Sequence, residues 1–158
     1  MATDTLNIEI TRVENSRINE FDPNNIVFGS LFTDHMLVAD CINGEWQTPQ
    51  IMPYGEISYN PALASLHYGQ SIFEGMKAFK NEANEVLMFR PLENFKRFNR
   101  SAERMCMPHV PEEIFMGGLE EILRLDAAWV PTGEDNSLYL RPFMFATDVY
   151  LGVRPSHN

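Results

Sequence analysis

Residues 75–106 read GMKAFKNEANEVLMFRPLENFKRFNRSAERMC, and the order of signals inside them decides the fold. Two short apolar runs, 75–80 and 86–90, are joined by the polar turn 81–85, which reads as a pair of strands. Pro91 then suits the first turn of a helix, where its missing N–H would be unpaired anyway. Across residues 92–106, Leu92, Phe95, Phe98, Ala102, Met105 and Cys106 fall within one arc at about 100° per residue, while Lys96, Arg97, Arg100 and Arg104 fall opposite. This is an amphipathic helix directly following a hairpin.

Downstream, Pro108 and Pro111 separate that helix from a second over residues 112–129, with Ile114, Phe115, Leu119, Ile122 and Leu123 inward and Glu112, Glu113, Glu120 and Glu121 outward. Gly117-Gly118 weakens its middle, at roughly 1 kcal/mol per glycine relative to alanine. Pro131-Thr132-Gly133 ends it, and a last strand is expected over residues 137–147. Upstream, residues 35–42 and 45–52 flank Asn43-Gly44, a hairpin signal because both central positions of a type I′ turn need positive φ. Pro53, Gly55 and Pro61 mark a loop leading to Leu66. Residues 1–25 read as an irregular polar segment, and ordered sequence begins at Ile26-Val27-Phe28-Gly29, giving one domain over 26–158. Strands, two consecutive helices and a strand do not alternate as βαβ units do. The expectation is α+β, a largely antiparallel sheet with two consecutive helices packed on it.

A chain of 158 residues with 44% hydrophobic positions can build one domain with a real core but not two of ordinary size. A formal net charge of −10 argues against nucleic-acid binding, which needs a basic surface to neutralise phosphates. The amino terminus lacks the basic and apolar regions of a leader, and no apolar run is long enough to span a bilayer, so the expected location is cytoplasmic and no membrane partner is expected. Cys41 and Cys106 form no CxxC pair and read as buried free thiols. His35, His67, His109 and His157 lack metal-ligand spacing, and no metal is expected.

The common nucleotide, hydrolase and metalloprotease signatures are absent. What remains is subtler. Tyr139 and Arg141 share one face of the expected last strand, roughly 6.5 Å apart, and each can bind a carboxylate. Spacing alone favours the plainer alternative, an arginine at a sheet surface beside an acidic neighbour. Arg97 on the polar helix face is by spacing one of a solvated basic stripe, with a phosphate clamp as the other reading. Tyr68 and Phe73 read equally as packing or as pocket.

Taken together, several pieces in one order resemble the amino-terminal small domain of branched-chain-amino-acid aminotransferases, fold-type IV enzymes that use pyridoxal 5′-phosphate. They are Phe28-Gly29 with Phe32-Thr33-Asp34-His35-Met36; LHYGQSIFEGMKAFK at 66–80; Phe89-Arg90-Pro91 with Asn94 and Arg97; Arg100-Ser101-Ala102 with Arg104-Met105; and Trp129-Val130-Pro131 leading to Ser137-Leu138-Tyr139-Leu140-Arg141-Pro142. The resemblance implies that Arg97 contacts the cofactor phosphate, that Tyr139 binds the substrate α-carboxylate and that Arg141 takes the side-chain carboxylate of glutamate. It also implies that Phe28, Phe73 and Val153 line an apolar slot for leucine, isoleucine and valine, which Tyr68 completes, and that the substrates are these amino acids, glutamate and their 2-oxo acids. The family's Schiff-base lysine belongs to a carboxy-terminal domain outside this chain, and Lys77, Lys80 and Lys96 do not match it. No catalytic residue is therefore assigned, the chain by itself is expected to be inactive, and the missing domain and a homodimer or higher assembly are the expected partners. The alternatives are a non-catalytic domain that self-associates or binds a partner, and another fold-type IV enzyme, a D-amino-acid aminotransferase or aminodeoxychorismate lyase.

Overall fold

A computed structural model describes residues 6–22, 25, 27–133 and 136–158. The hairpin centred on Asn43-Gly44 is formed by β2 (His35–Val38), β3 (Cys41–Ile42), β4 (Glu45–Trp46) and β5 (Gln50–Pro53), and the two turn residues take φ of 53° and 83°. Its ladder is broken where three residues, 47–49, face two, 39–40, between the Cys41↔Trp46 and Val38↔Gln50 pairs. The extra residue makes a bulge, and Pro49 there is fully buried.

Within 1–25, expected to be irregular, the described residues include two short elements. Glu9–Ile10 forms β1, which pairs in parallel with Gln50 and Ile51, and Ile18–Glu20 makes a 3₁₀ turn. Two residues of strand carry too little periodicity to be seen in sequence. Ile26 lies outside the described residues.

A short helix, α1 (Ala64–Tyr68), ends at Gly69 with φ 66°, and the chain reverses there into β6 (Ser71–Phe73), where only a loop was expected. One turn of helix is below the length at which amphipathic spacing can show itself. The second hairpin joins β7 (Met76–Lys80) to β8 (Val86–Met88), with Ala78 opposite Met88. Helix α2 (Pro91–Arg104) begins at its proline and packs Phe98 and Ala102 into the core. Cys106 lies past the helix end at φ 52° and is exposed, so the expectation of two buried thiols fails there; Cys41 is half-buried.

The second helix is three pieces. Glu113–Gly117 is π-helical, Gly118–Leu125 is α3 and Ala127–Trp129 is a 3₁₀ turn. The glycines have a packing reason: a Cβ on Gly118 would collide with the Leu37 side chain of β2, and one on Gly117 would lie 3.2 Å from Leu6. Close approach of β2 to α3 fixes Gly118, and the Leu6 side chain crowds Gly117.

The last strand is also two. β9 (Leu138–Leu140) pairs antiparallel with β7, whereas β10 (Phe143–Phe145) pairs antiparallel with β6. Pro142 has no N–H for a ladder, so the chain turns from one ladder to the other at Arg141-Pro142. The fold is α+β with mostly antiparallel pairing, divided among short ladders rather than held in one sheet. Its main core joins Ile72, Met76, Phe98, Met107, Phe115 and Leu119, and a second lies under Ala78, Leu123 and Val130.

Candidate functional site

The corner between β9 and β10 is the centre of the site. Tyr139 and Arg141 lie on one side of the chain, and Arg141 donates from Nε (3.1 Å) and Nη2 (2.9 Å) to the Tyr139 hydroxyl. The hydroxyl accepts both bonds, which leaves its own O–H to donate outward. The guanidinium also lies over the Phe73 ring, 4.4 Å from its centroid. The acidic neighbour expected of an ordinary surface arginine is absent from these contacts.

Phe28 reaches Tyr139 from a turn in which Gly29 has φ 79° and the Ser30 N–H donates to the Val27 carbonyl at 3.2 Å. Its ring meets the Tyr139 ring edge-on, with centroids 5.1 Å apart. A hydrogen-bonded network anchors the segment that follows this turn. Asp34 accepts from the Ser16 hydroxyl (2.6 Å), the Arg17 N–H (2.8 Å) and the Trp129 indole (3.0 Å), and Arg17 Nη2 donates to the Thr33 carbonyl at 2.9 Å. Burial pushes the Asp34 carboxyl up, but these bonds together hold it below the ordinary range. His35 adds a second clamp: one Asp126 oxygen accepts its N–H and the other faces Nδ1 at 2.6 Å, while His35 Nε2 accepts from the Val13 N–H at 3.1 Å. An Nε2 that accepts carries no proton, so the ring is the Nδ1–H tautomer. The Asp34-His35 pair thus ties residues 13–17 and residues 126–129 to the segment that follows the Phe28 turn, a role the sequence alone did not disclose.

Gly75 makes room for the tyrosine. A Cβ there would lie 2.6 Å from the Tyr139 hydroxyl oxygen. Glu74, one residue earlier, is buried and binds Arg97 through two contacts, Nε to Oε2 at 2.7 Å and Nη2 to Oε1 at 2.6 Å. Burial raises the Glu74 carboxyl, and the Arg97 bonds with the Gly75 N–H bring it below its ordinary value. Arg97 stays exposed on the polar face of α2, as the stripe reading expects, but it is also gripped by the residue that follows Phe73.

Four of the seven candidates, Phe28, Phe73, Tyr139 and Arg141, form one chain of contacts, and Arg97 joins them through Glu74. Tyr68 and Val153 stand apart from this cluster. Tyr68 is half-exposed at the end of α1 with its ring against His67, and Val153 is 86% exposed. Phe28 and Phe73 are also open, at 74% and 64%. Among the described residues no group of three or more His, Cys, Asp or Glu could hold a metal, and no helix is long and apolar enough to cross a membrane.

No protein-family model matches the chain. It is 42% identical over its whole length to branched-chain-amino-acid aminotransferase 2 of Bacillus subtilis, of which it covers 43%. It is 49% identical to a probable branched-chain-amino-acid aminotransferase of Staphylococcus aureus, over 87% of this chain and 38% of that protein. Among solved structures, a T.th. branched-chain amino acid aminotransferase with pyridoxamine 5′-phosphate superposes with a TM-score of 0.53 at 32% identity, over 73% of this chain and 34% of that one. The Escherichia coli branched-chain amino acid aminotransferase gives 0.53 at 29% identity, over 75% and 36%. The chain spans well under half the length of the curated relatives it matches. By sequence and by fold, this chain is a homologue of the amino-terminal region of the branched-chain-amino-acid aminotransferases, with the architecture of their small domain.

Proposed function

We propose that this chain is the substrate-pocket domain of a pyridoxal-phosphate-dependent enzyme that moves amino groups between leucine, isoleucine or valine and 2-oxoglutarate. The observation that carries the proposal is the Tyr139–Arg141–Phe73 contact with Phe28 beside it, because one cleft must accept both an aliphatic chain and a carboxylate. Burying a leucine side chain against Phe28 and Phe73 is worth about 1.5–3 kcal/mol, whereas an unpaired buried carboxylate would be prohibitive. Tyr139 holds the α-carboxylate through its outward O–H, and Arg141 beside it takes the glutamate side chain. Tyr68, which stands apart from the cluster within this chain, completes the slot across a dimer interface.

Arg97 suits the cofactor phosphate: its side chain is 59% exposed, and its bonds to Glu74 use Nε and Nη2, leaving the Nη1 side of the fork for an anion. Pyridoxal phosphate, when bound, supplies the electron sink for amino-group transfer. In a complete enzyme a carboxy-terminal domain supplies the reactive lysine, and subunits pair as a homodimer or higher assembly in the cytoplasm. By the same reading the 158-residue chain alone is inactive. Lys77 and Lys96 are exposed, with Lys96 paired to Glu93, and Lys80 ends β7. Borohydride reduction of the chain with pyridoxal phosphate should leave no stoichiometric label on these three lysines; such a label would reject the inactivity.

The substrate test compares leucine, D-alanine and aminodeoxychorismate in a complete enzyme carrying this segment. Leucine should be the preferred substrate, and preference for either of the others would overturn the assignment. The exposed Phe28, Phe73 and Phe143 favour one further property, association through this face. Sedimentation of the chain as a clean monomer at high concentration would refute it.

A further inference from the structure

Resting on the reading of Arg97 as a phosphate ligand, we propose that Glu74 is a positioning residue that sets the Arg97 guanidinium for that phosphate and ties it to the carboxylate end of the cleft.

Glu74 is only 6% exposed, yet it carries a charge-assisted pair with an arginine at the surface. The asymmetry matters. An ion pair between two exposed side chains is weak and leaves both free to wander. A buried carboxylate left unpaired is costly, so here the buried partner dictates where the exposed one sits. Glu74 Oε1 accepts from Gly75 N–H (2.8 Å) and Arg97 Nη2 (2.6 Å), while Oε2 accepts from Arg97 Nε (2.7 Å). The backbone at this residue is itself fixed, since the Glu74 N–H donates to the Pro142 carbonyl at 2.8 Å.

This side-on grip fixes the plane of the guanidinium. No hydrogen bond among the described residues uses Nη1, so an incoming oxyanion meets a fork that is already oriented. Sequence order then links three groups. Phe73 lies under Arg141, Glu74 grips Arg97, and Gly75 leaves space for the Tyr139 hydroxyl. One tripeptide at the end of β6 therefore sets the geometry of both anion-binding ends.

The test uses a complete aminotransferase carrying this segment, in wild-type, Glu74→Gln, Glu74→Asp and Arg97→Ala forms. The apo forms are titrated with pyridoxal phosphate, and the Arg97 Nε–H resonance is followed by ¹⁵N NMR before cofactor is added. Glu74→Gln should raise the half-saturating cofactor concentration about tenfold, at the low end of what supporting groups behind a ligand contribute in metal sites. It should also speed exchange of the Arg97 Nε–H, and Glu74→Asp should recover part of both effects. A role confined to stability would lower the melting temperature while leaving the cofactor affinity of the folded protein and the Nε–H signal unchanged, and that outcome overturns the inference. If Arg97→Ala weakens cofactor binding but Glu74→Gln does not, the positioning role fails and the phosphate reading stands. If Arg97→Ala has no effect, the phosphate reading falls and takes this inference with it. Should Glu74→Gln not fold, Glu74→Asp decides in its place: wild-type affinity together with a wild-type Nε–H signal overturns the inference.

Discussion

Replacing Gly75 by alanine isolates the Tyr139 hydroxyl from everything else in the cleft. Gly75 is not among the residues with positive φ, so alanine meets no backbone strain, and the loss of unfolded-state freedom should stabilise the fold by about 0.4–1 kcal/mol. The new methyl would lie 2.6 Å from the hydroxyl oxygen, 3.3 Å from Cζ and 3.4 Å from Cε2. Ordinary contact requires the oxygen to retreat by about 0.8 Å, and the ring has Phe28 against its edge. A displacement of that size takes the 2.9 Å bond from Arg141 beyond hydrogen-bonding range if it runs along the bond. The retreating hydroxyl also leaves its own bond to the substrate carboxylate, and one charge-assisted hydrogen bond is worth about 1.5–3 kcal/mol, or about a 10- to 140-fold weaker grip. Steady-state kinetics in a complete enzyme should therefore show KM for leucine and glutamate rising together, while thermal melting of the protein moves by no more than a few degrees. Michaelis constants within twofold of wild type would refute the reasoning, as would a crystal structure of the Gly75→Ala variant that keeps the Tyr139 hydroxyl within 3.1 Å of Arg141.

Arg141→Ala should harm use of glutamate more than use of leucine, and Tyr139→Phe should weaken both; equal loss in the first variant, or unchanged KM in the second, removes the corresponding role. Gly118→Ala should lower the urea midpoint by an amount equivalent to about 1–2 kcal/mol, because the methyl meets Leu37 and overpacking outweighs the gain in helix propensity; a stabilised variant would reject the packing account. Asp34, Glu74 and Asp148 are each raised by burial but held below their ordinary values by hydrogen bonds. A carboxyl with a lowered folded pKa contributes stability above its unfolded pKa and loses it as pH falls through the folded one. The urea midpoint should thus hold steady down to about pH 5 and fall toward about pH 3, less steeply in Asp34→Asn. A midpoint that rises on acidification would contradict this.

What could be read from sequence was whatever repeats. The α2 face carries several turns of apolar period, and Asn43-Gly44 names its own turn, so both were legible. The strand over 137–147 was misread because alternation continues through Pro142, and a change of ladder leaves no mark in side-chain period. The second helix was placed correctly, but its π turn adjoins the packing of Gly118 on Leu37, a contact spanning 81 positions that no local rule contains. Tyr139 and Arg141 were legible as a same-face pair. Glu74 was not, because a single acidic residue after a phenylalanine looks like any other until Arg97 folds over it. The Asp34-His35 strap was equally hidden, since both its partners, residues 13–17 and residues 126–129, are distant in sequence.

The proline corner shows why a site forms at this place rather than elsewhere on the sheet. A strand running unbroken from Leu138 to Phe145 would hold residue 141 in a ladder and spread its neighbours flat along one edge. Pro142 cannot donate, so β9 stays with β7 and β10 leaves for β6, where Phe143 pairs with Phe73. The Pro142 carbonyl accepts from the Glu74 N–H at 2.8 Å, which continues the β6–β10 register and pins the start of the 74–75 segment to the corner. Arg141, at the bend and in neither ladder, is left with its guanidinium against Phe73 and Tyr139 and its remaining edge open. A residue that cannot donate a backbone hydrogen bond thus creates the corner where Phe73, Tyr139 and Arg141 meet, and the exposure of Phe28 and Phe73 beside it is what the proposed pocket wall requires.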